Sequence, residues 1–392
     1  MSGLSKVANS GASSSVTSAI SIDFARNFPP PSPLIGDRLA LAFDELEGID
    51  IAGAIRFPRF TGTARDRAAA AGWVARRLGG APDPDRIVIS NGTQSTLLML
   101  LASFVQPGNI LLTEELTYAA MKPISSLLGI KLVPIKMDDE GIIPDALGDA
   151  CIRLRSEARA LYCMPTLHNP TAATMSAERR AAVAEVARRN NLWIFEDDIY
   201  GVLPETAPPP LQTFAPERTW YILGLSKSLA AQLRIAYTVA PSETIAREVF
   251  WPGVKTTNWM VAPLIAEIAT LWIEQDTAEA ILESVRADTN ARQEILQSSL
   301  ASWAISVPPF CYHVWLDLPP GCSAKDFEHA ARTKGVLIAP GGSFSPTSDE
   351  SAARFRIGIG VPSDHQTLRT GLDILNDTRN EVAPSYTKAR KG

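Results

Sequence analysis

The sequence predicts an α/β protein with two parts, a large domain built on a mostly parallel, doubly wound sheet and a smaller α+β domain. Three observations lead there. The 392 residues exceed what one compact core organises. Between Asp85 and Ala240, short apolar runs alternate with longer amphipathic stretches, the pattern of strands joined by helical crossovers. After Pro252 the texture changes, and 277–301 reads as one long helix of mixed charge with no capping residue.

The runs are 86–90, 109–113, 131–135, 159–164, 192–196, 220–225 and 234–240. They are nearly continuous in Val, Ile, Leu, Tyr and Phe, as strands covered on both faces require. Of the segments between them, 176–190 opens on an N-cap serine, Ser176, and carries Val183, Val186 and Ala187 on one face. Another helix is expected over 95–104. The 277–301 helix is expected to leave the large domain and enter the smaller one. There, strands at 313–318 and 355–359 flank a helix at 324–333, and the segment 22–49 is expected to pack onto them. The domain reading is therefore 50–285 for the large unit and 22–49 with 286–380 for the small one. Residues 1–21 and 381–392 read as flexible tails.

Composition excludes some classes of function. The chain is 46% apolar and 20% charged with a net charge of −5, so no basic field exists to gather nucleic acid. Cys151, Cys163, Cys311 and Cys322 form no C-x-x-C pair and no clustered His/Cys spacing, so buried free thiols are expected, with neither a disulfide framework nor a metal site. No apolar run reaches membrane-spanning length, and residues 1–19 lack the apolar centre of a signal peptide. A cytoplasmic protein is the expectation.

In a doubly wound sheet the ligand site lies at the carboxyl ends of the strands. The residues able to do chemistry fall there one after another. Ser90-Asn91-Gly92-Thr93-Gln94 follows the first strand and opens a helix, offering free N–H groups and a helix dipole to an anion; taken alone the signal is weak, since such a glycine-containing turn is more often merely a turn. Pro165-Thr166-Leu167-His168-Asn169-Pro170-Thr171 follows another strand, though Asn before Pro often just sets a turn. Glu196, Asp197 and Asp198 end an apolar strand, either as exposed or capping carboxylates or as partners for a buried cation. Gly224-Leu225-Ser226-Lys227-Ser228 puts a lysine at the sheet mouth, seven positions before Arg234; a desolvated amine there would be nucleophilic toward an aldehyde.

The ordered set G-x-Q at Gly92–Gln94, Tyr118, Asn169-Pro170-Thr171, Asp197-x-x-Tyr200, Ser226-Lys227 with Arg234, and Phe355-Arg356-Ile357-Gly358 resembles the class I/II aminotransferases. Their architecture is the fold-type I pyridoxal-phosphate transferase fold. Within them the set is most similar to the branch of kynurenine and 2-aminoadipate aminotransferases and the aminotransferase-like domains of MocR regulators. The likeness runs over 22–375.

The resemblance implies pyridoxal 5'-phosphate as cofactor, bound to Lys227 as a Schiff base, with Lys227 moving the proton as general base and acid. It implies Asp197 on the pyridine nitrogen, and Asn169 and Tyr200 on the ring's 3′-oxygen. Tyr118 would stack on the ring; Gly92, Thr93, Gln94, Ser226 and Arg234 would form the phosphate site. Arg356 would grip the substrate α-carboxylate, with Asn169 and Asn27 also at the substrate. Arg354 is a neighbour on the same strand face, and the frame of the motif selects Arg356. The implied reaction moves an amino group between an α-amino acid and a 2-oxo acid, in a homodimer with shared active sites.

Three positions depart from the family. Gly224 stands three before Lys227, where many members have a phosphate-binding serine. Phe57, five before Gly62, stands where a tyrosine often reaches the neighbouring subunit's phosphate. Asn27-Phe28-Pro29 replaces a Gly-Leu-Pro segment at the substrate mouth. Weaker phosphate anchoring is expected unless Arg59, Thr93 or Ser95 compensates, together with a narrower, more polar mouth. Two other outcomes of the same fold stay open, a lyase or decarboxylase and a MocR-like sensor without its DNA-binding domain. The residues ahead of Ile22 are too few for such a module.

Overall fold

The computed structural model describes residues 22–48, 51–258, 260–319, 322–347 and 353–382. The stretch read as an N-terminal tail, and 383–392 of the C-terminal one, lie outside the described residues. Helix His365–Val382 runs two residues into the stretch expected as tail.

The strands, in chain order, are β1 (Ile22–Asp23), β2 (Ile87–Ser90), β3 (Ile110–Glu114), β4 (Lys131–Ile135), β5 (Met137–Asp138), β6 (Gly141–Ile142) and β7 (Ala158–Cys163). They continue with β8 (Trp193–Asp197), β9 (Thr219–Gly224), β10 (Ala236–Val239), β11 (His313–Asp317), β12 (Val336–Leu337), β13 (Ala339–Pro340) and β14 (Arg354–Gly358). Seven make the main sheet in the order β2-β10-β9-β8-β7-β3-β4. All its pairings are parallel except those of β10, which is antiparallel to β2 and β9. The seven apolar runs of the sequence are these seven strands, shifted by a residue or two at the ends.

Burial explains the runs. Every residue of β2, β3, β9 and β10 is buried. One apolar cluster joins Leu97, Trp220 and Trp272; a second, containing Leu161, Val183 and Ile194, lies under helices Pro144–Leu154 and Ala177–Arg189. Helices therefore cover both faces, and each fully buried large apolar side chain contributes about 1.5–3 kcal/mol. Helix Ala177–Arg189 starts where its serine indicated, with Ser176 Oγ accepting from the Arg179 N–H at 3.2 Å. The helix expected from residue 95 starts two residues earlier, as Thr93–Phe104.

The smaller sheet has the order β11-β14-β13, and helix Ala324–Thr333 has the predicted bounds. The segment 22–49 divides. β1 pairs with β12, but helix Ile35–Leu46 packs on helix Pro263–Glu274 beside the main sheet, where Trp272 Nε1 donates to the Arg38 carbonyl at 3.3 Å. An amphipathic pattern marks a helix face for burial without naming its partner. The long helix, Thr277–Ser299, bridges the two sheets' surroundings. Arg286 donates to the carbonyls of Val202 and Leu203 at 2.7 and 2.8 Å, and Arg292 to those of Ile359 and Pro362 at 3.0 and 2.9 Å. All four cysteines are free and buried. Among the described residues no helix is long and apolar enough to cross a membrane.

Candidate active site

A cleft opens at the carboxyl ends of the main-sheet strands, where the doubly wound topology places it. Thr93, Gln94, Tyr118, Asn169, Asp197, Tyr200, Ser226, Lys227 and Arg234 line it, with Met164 and Ile199. Gly92, Asn27 and Arg356 join it through contacts with these residues.

Each strand end delivers one piece. After β2, Gly92 adopts φ +85° as N-cap of helix Thr93–Phe104, so the first N–H groups of that helix face the cleft mouth. The Arg234 guanidinium lies across this turn, 3.4 Å from where a residue-92 Cβ would stand, and Arg234 NH2 approaches Gln94 Oε1 at 3.4 Å. Gln94 Nε2 donates to the Tyr118 hydroxyl at 3.0 Å. Burial pushes the Tyr118 phenol above its usual range.

At the end of β8, Asp197 is 2% exposed. Its Oδ2 accepts from the Tyr162 hydroxyl at 3.0 Å, while Oδ1 is buried with no partner. Desolvation, reinforced by Asp198 and Glu114, raises its carboxyl to about 7. Such a carboxylate is costly unless something cationic meets Oδ1. After β9, burial beside the Arg356 and Arg234 guanidiniums lowers the Lys227 amine to about 7. Its Nζ donates to the Asn27 carbonyl and stands 5.3 Å from the centroid of the Phe28 ring. Asn27 Nδ2 donates to the Tyr200 hydroxyl at 2.8 Å, and burial raises the Tyr200 phenol.

Arg356, on β14, is 6% exposed. Its NH1 donates to Asn169 Oδ1 at 2.9 Å, its NH2 donates to the Ala25 carbonyl, and the Phe344 ring centroid is 5.1 Å away. Nε is buried and unpartnered. Arg354, the sequence rival, is exposed and paired with Asp317 opposite it in register. Of the residues considered for extra phosphate anchoring, Arg59 is held by Glu267 at 2.6 Å and Asp66 at 3.5 Å. Ser95 donates to the Gly92 carbonyl at 2.8 Å. Of the three, the Thr93 hydroxyl has neither a hydrogen-bond nor an ion-pair partner.

The sequence did not reveal what supports these groups. Tyr162 is one apolar-run tyrosine among several until β7 and β8 pair. The Asn169 loop is clamped by Arg180, buried, which donates to Pro165 O at 2.8 Å, Thr166 Oγ1 at 3.0 Å and Met175 O at 3.0 Å. Arg77 reaches the same threonine at 3.4 Å and pairs with Asp198 at 2.8 Å. Arg180 sits in an ordinary helical pattern, so no local signal marks it.

The model of the family "Aminotransferase class I and II" matches residues 49–374. The chain belongs to the class I and II aminotransferases. It is 32% identical over 291 residues to the uncharacterized HTH-type transcriptional regulator YdeF of Bacillus subtilis, covering 74% of this chain and 62% of that protein. The chain spans 62%, 53% and 62% of the lengths of YdeF and two other regulators of that organism, YdfD and YisV. It is 26% identical to aromatic-amino-acid aminotransferase 1 of Thermococcus litoralis, over 92% of this chain and 88% of that one. The fold matches the solved kynurenine aminotransferase of Pyrococcus horikoshii with a TM-score of 0.83, at 23% identity over 94% of this chain and 93% of that one.

Aminotransferases of this family carry pyridoxal phosphate, and the cleft fits it. It holds an amine of lowered pKa, a buried carboxylate oxygen lacking a partner and, at the helix N-terminus beside Arg234, a buried hydroxyl lacking one. A cofactor with an aldehyde, a ring N–H and a phosphate meets all three needs.

Asp197 supplies a prediction with a worked sign. With its folded pKa raised to about 7 from 3.8, the folded chain holds more protons than the unfolded one between those values. Its contribution to stability is thus lost as pH rises through that window. In the cofactor-free protein, Asp197→Asn is expected to raise stability at pH 8, on the order of 1–3 kcal/mol, while weakening cofactor function. Thermal melts of cofactor-free protein at pH 5 and 8 check it; a variant less stable at both would refute it.

Proposed function

We propose that this chain is a pyridoxal-phosphate-dependent aminotransferase (EC 2.6.1.-) of amino acid metabolism, passing an amino group between an α-amino acid and a 2-oxo acid. What carries this reading is the convergence, in one cleft, of the Lys227 amine, the free Asp197 oxygen and the buried Arg356 guanidinium.

When bound, pyridoxal phosphate supplies an aldehyde that captures amines and a cationic ring that draws electrons from the substrate α-carbon. Lys227 would anchor it through Nζ; once a substrate amine takes that place, the neutral Nζ would take the α-proton and hold it for return. The lowered pKa keeps that amine neutral above about 7. Asp197 Oδ1 would accept from the ring N–H, and Asn169 and Tyr200 would donate to the ring oxygen. Tyr118 would cover one ring face. The N–H groups of Thr93 and Gln94 beyond Gly92, with Ser226 and Arg234, would bind the phosphate, aided by the helix dipole. Arg356 would take the α-carboxylate, with Asn169 and Asn27 bordering the bound amino acid.

The test is a near-visible spectrum of the purified protein with cofactor, followed by amino acids added singly without a 2-oxo acid. Conversion to a stable pyridoxamine-type spectrum, reversed by a 2-oxo acid, is the expected result and names the donor. A cofactor band that no amino acid converts would sink transamination in favour of a lyase or decarboxylase. The likeness to YdeF supports a second reading, an effector-binding module of a regulator. In that case amino acids would bind at the cleft without turnover.

A homodimer with shared sites is part of the proposal. Leu41, Phe43, Ile55 and Phe57 are exposed large apolar residues crowded into one short segment, which favours a covered face. Light scattering is expected to give twice the chain mass, and Phe57→Glu with Leu41→Glu to shift it toward the monomer. A wild-type monomer at micromolar concentration would end this part of the reading. Within each subunit, the smaller unit would comprise β1 and the chain after the bridging helix, with 50–285 and helix Ile35–Leu46 in the larger. The free buried thiols suit a reducing compartment such as the cytoplasm.

A further inference from the structure

Asn169 hangs from a turn that its own residues disfavour. Leu167 and Ala172, on either side of it, have φ of +47° and +63°, the left-handed region where a side chain strains the backbone. Such a turn keeps its shape only where its surroundings hold it. The His168 carbonyl accepts from the Ala172 N–H at 2.6 Å and closes the turn. Two side chains of the smaller sheet also reach it. Arg356 of β14 donates to Asn169 Oδ1 at 2.9 Å, which leaves Nδ2 as the end of that amide able to donate into the cleft. His313 of β11, fully buried, meets the His168 carbonyl with Nε2 at 3.0 Å. A carbonyl only accepts, so Nε2 carries the proton, and Nδ1 faces the Cys311 thiol at 3.5 Å. Burial lowers this imidazole to about 3; the bond to His168 opposes the shift, while Arg356, the His168 ring and Lys227 add to it. His313 is therefore neutral. Its ring centroid lies 5.1 Å from that of Tyr200 and 6.5 Å from that of Tyr312.

We propose that His313 is a positioning residue for the cofactor's ring oxygen, holding through the His168 carbonyl the strained turn that aims the Asn169 amide. The proposal rests on the reading that pyridoxal phosphate occupies the cleft. Arg356 decides which end of the amide donates, and His313 fixes the backbone from which it donates. Both come from the smaller sheet, so the aim of Asn169 depends on how that sheet sits against the cleft. A donor at the ring oxygen draws electron density from the proton shared with the Lys227 nitrogen, and so lowers the pKa of the protein–cofactor adduct. Loosening the turn weakens that donor and raises the pKa.

The experiment follows the near-visible absorbance of the full-length protein with cofactor against pH. Wild type is compared with His313→Phe, His313→Gln, Asn169→Ala and the variant carrying both His313→Phe and Asn169→Ala. Phenylalanine keeps a ring against Tyr200 and removes the donor without changing charge. His313→Phe is expected to raise the spectral midpoint by about 0.5–1 pH unit, roughly threefold to tenfold in proton affinity. Glutamine, whose amide reaches about as far as Nε2, is expected to restore at least half of that shift. In the Asn169→Ala background the same replacement is expected to add nothing. If His313→Phe does not fold, His313→Asn, too short to reach the carbonyl, takes its place. A midpoint unchanged or lowered would overturn the proposal. So would an equal shift in the Asn169→Ala background, which would mean action through Tyr200 or general loosening, or a glutamine variant no nearer wild type than phenylalanine. Wild type with no near-visible band would instead remove the reading of the cleft, and this proposal with it.

Discussion

Replacing Lys227 by alanine is expected to abolish the near-visible absorbance of the protein–cofactor adduct and to lower the transamination rate by at least about 10⁴-fold. The amine lines the cleft on the turn directly after β9, and its environment keeps it reactive. Burial, Arg356 and Arg234 disfavour its charged form and lower it to about 7, with Asp197 opposing. The same shift predicts the stability of the variant. Between about 7 and the ordinary 10.5 the unfolded chain holds a proton that the folded one does not. Stability from this group therefore rises with pH across that window, and below it the folded protein bears the full cost of a desolvated ammonium. Without cofactor, Lys227→Ala should be at least as stable as wild type at pH 7. Absorbance, single-turnover kinetics and a thermal melt together test the point. A variant that keeps the adduct band would move the covalent site elsewhere.

Arg356→Ala is expected to raise KM for every α-amino acid by about 10²–10³-fold, the cost of leaving a desolvated carboxylate unpaired. Arg356→Lys should recover little, because an ammonium cannot reproduce a two-point grip. Arg356 also disfavours the charged form of Lys227, so its removal should move the acidic limb of the pH–rate profile upward. That upward movement separates loss of the guanidinium charge from mere loosening of the Asn169 loop. KM values within threefold of wild type would place the carboxylate site elsewhere.

The strands of the main sheet were legible because burial on both faces leaves a nearly pure apolar run, visible without knowing any partner. So was the placement of Lys227, Asp197 and Asn169 at the carboxyl edge, because a doubly wound sheet gathers its strand ends there and each of these ends or follows a strand. The orientation of β10 was not legible, since an antiparallel strand buried on both faces carries the same run as a parallel one. Nor was the allegiance of helix Ile35–Leu46, whose apolar stripe fits either unit.

The sequence by itself determined the alternation of strand and helix, the edge at which chemistry collects, and the residue types delivered there. The tertiary structure alone decided how they act on one another. Tyr162 meets Asp197 and leaves one oxygen free, Arg180 closes the loop that aims Asn169 at Arg356, and Thr93 fills the space beside Gly224. The physical reason is distance along the chain. Local patterns report whether a side chain is buried, whereas pKa values, unpaired donors and steric exclusion come from groups many residues apart that meet only when the sheet forms.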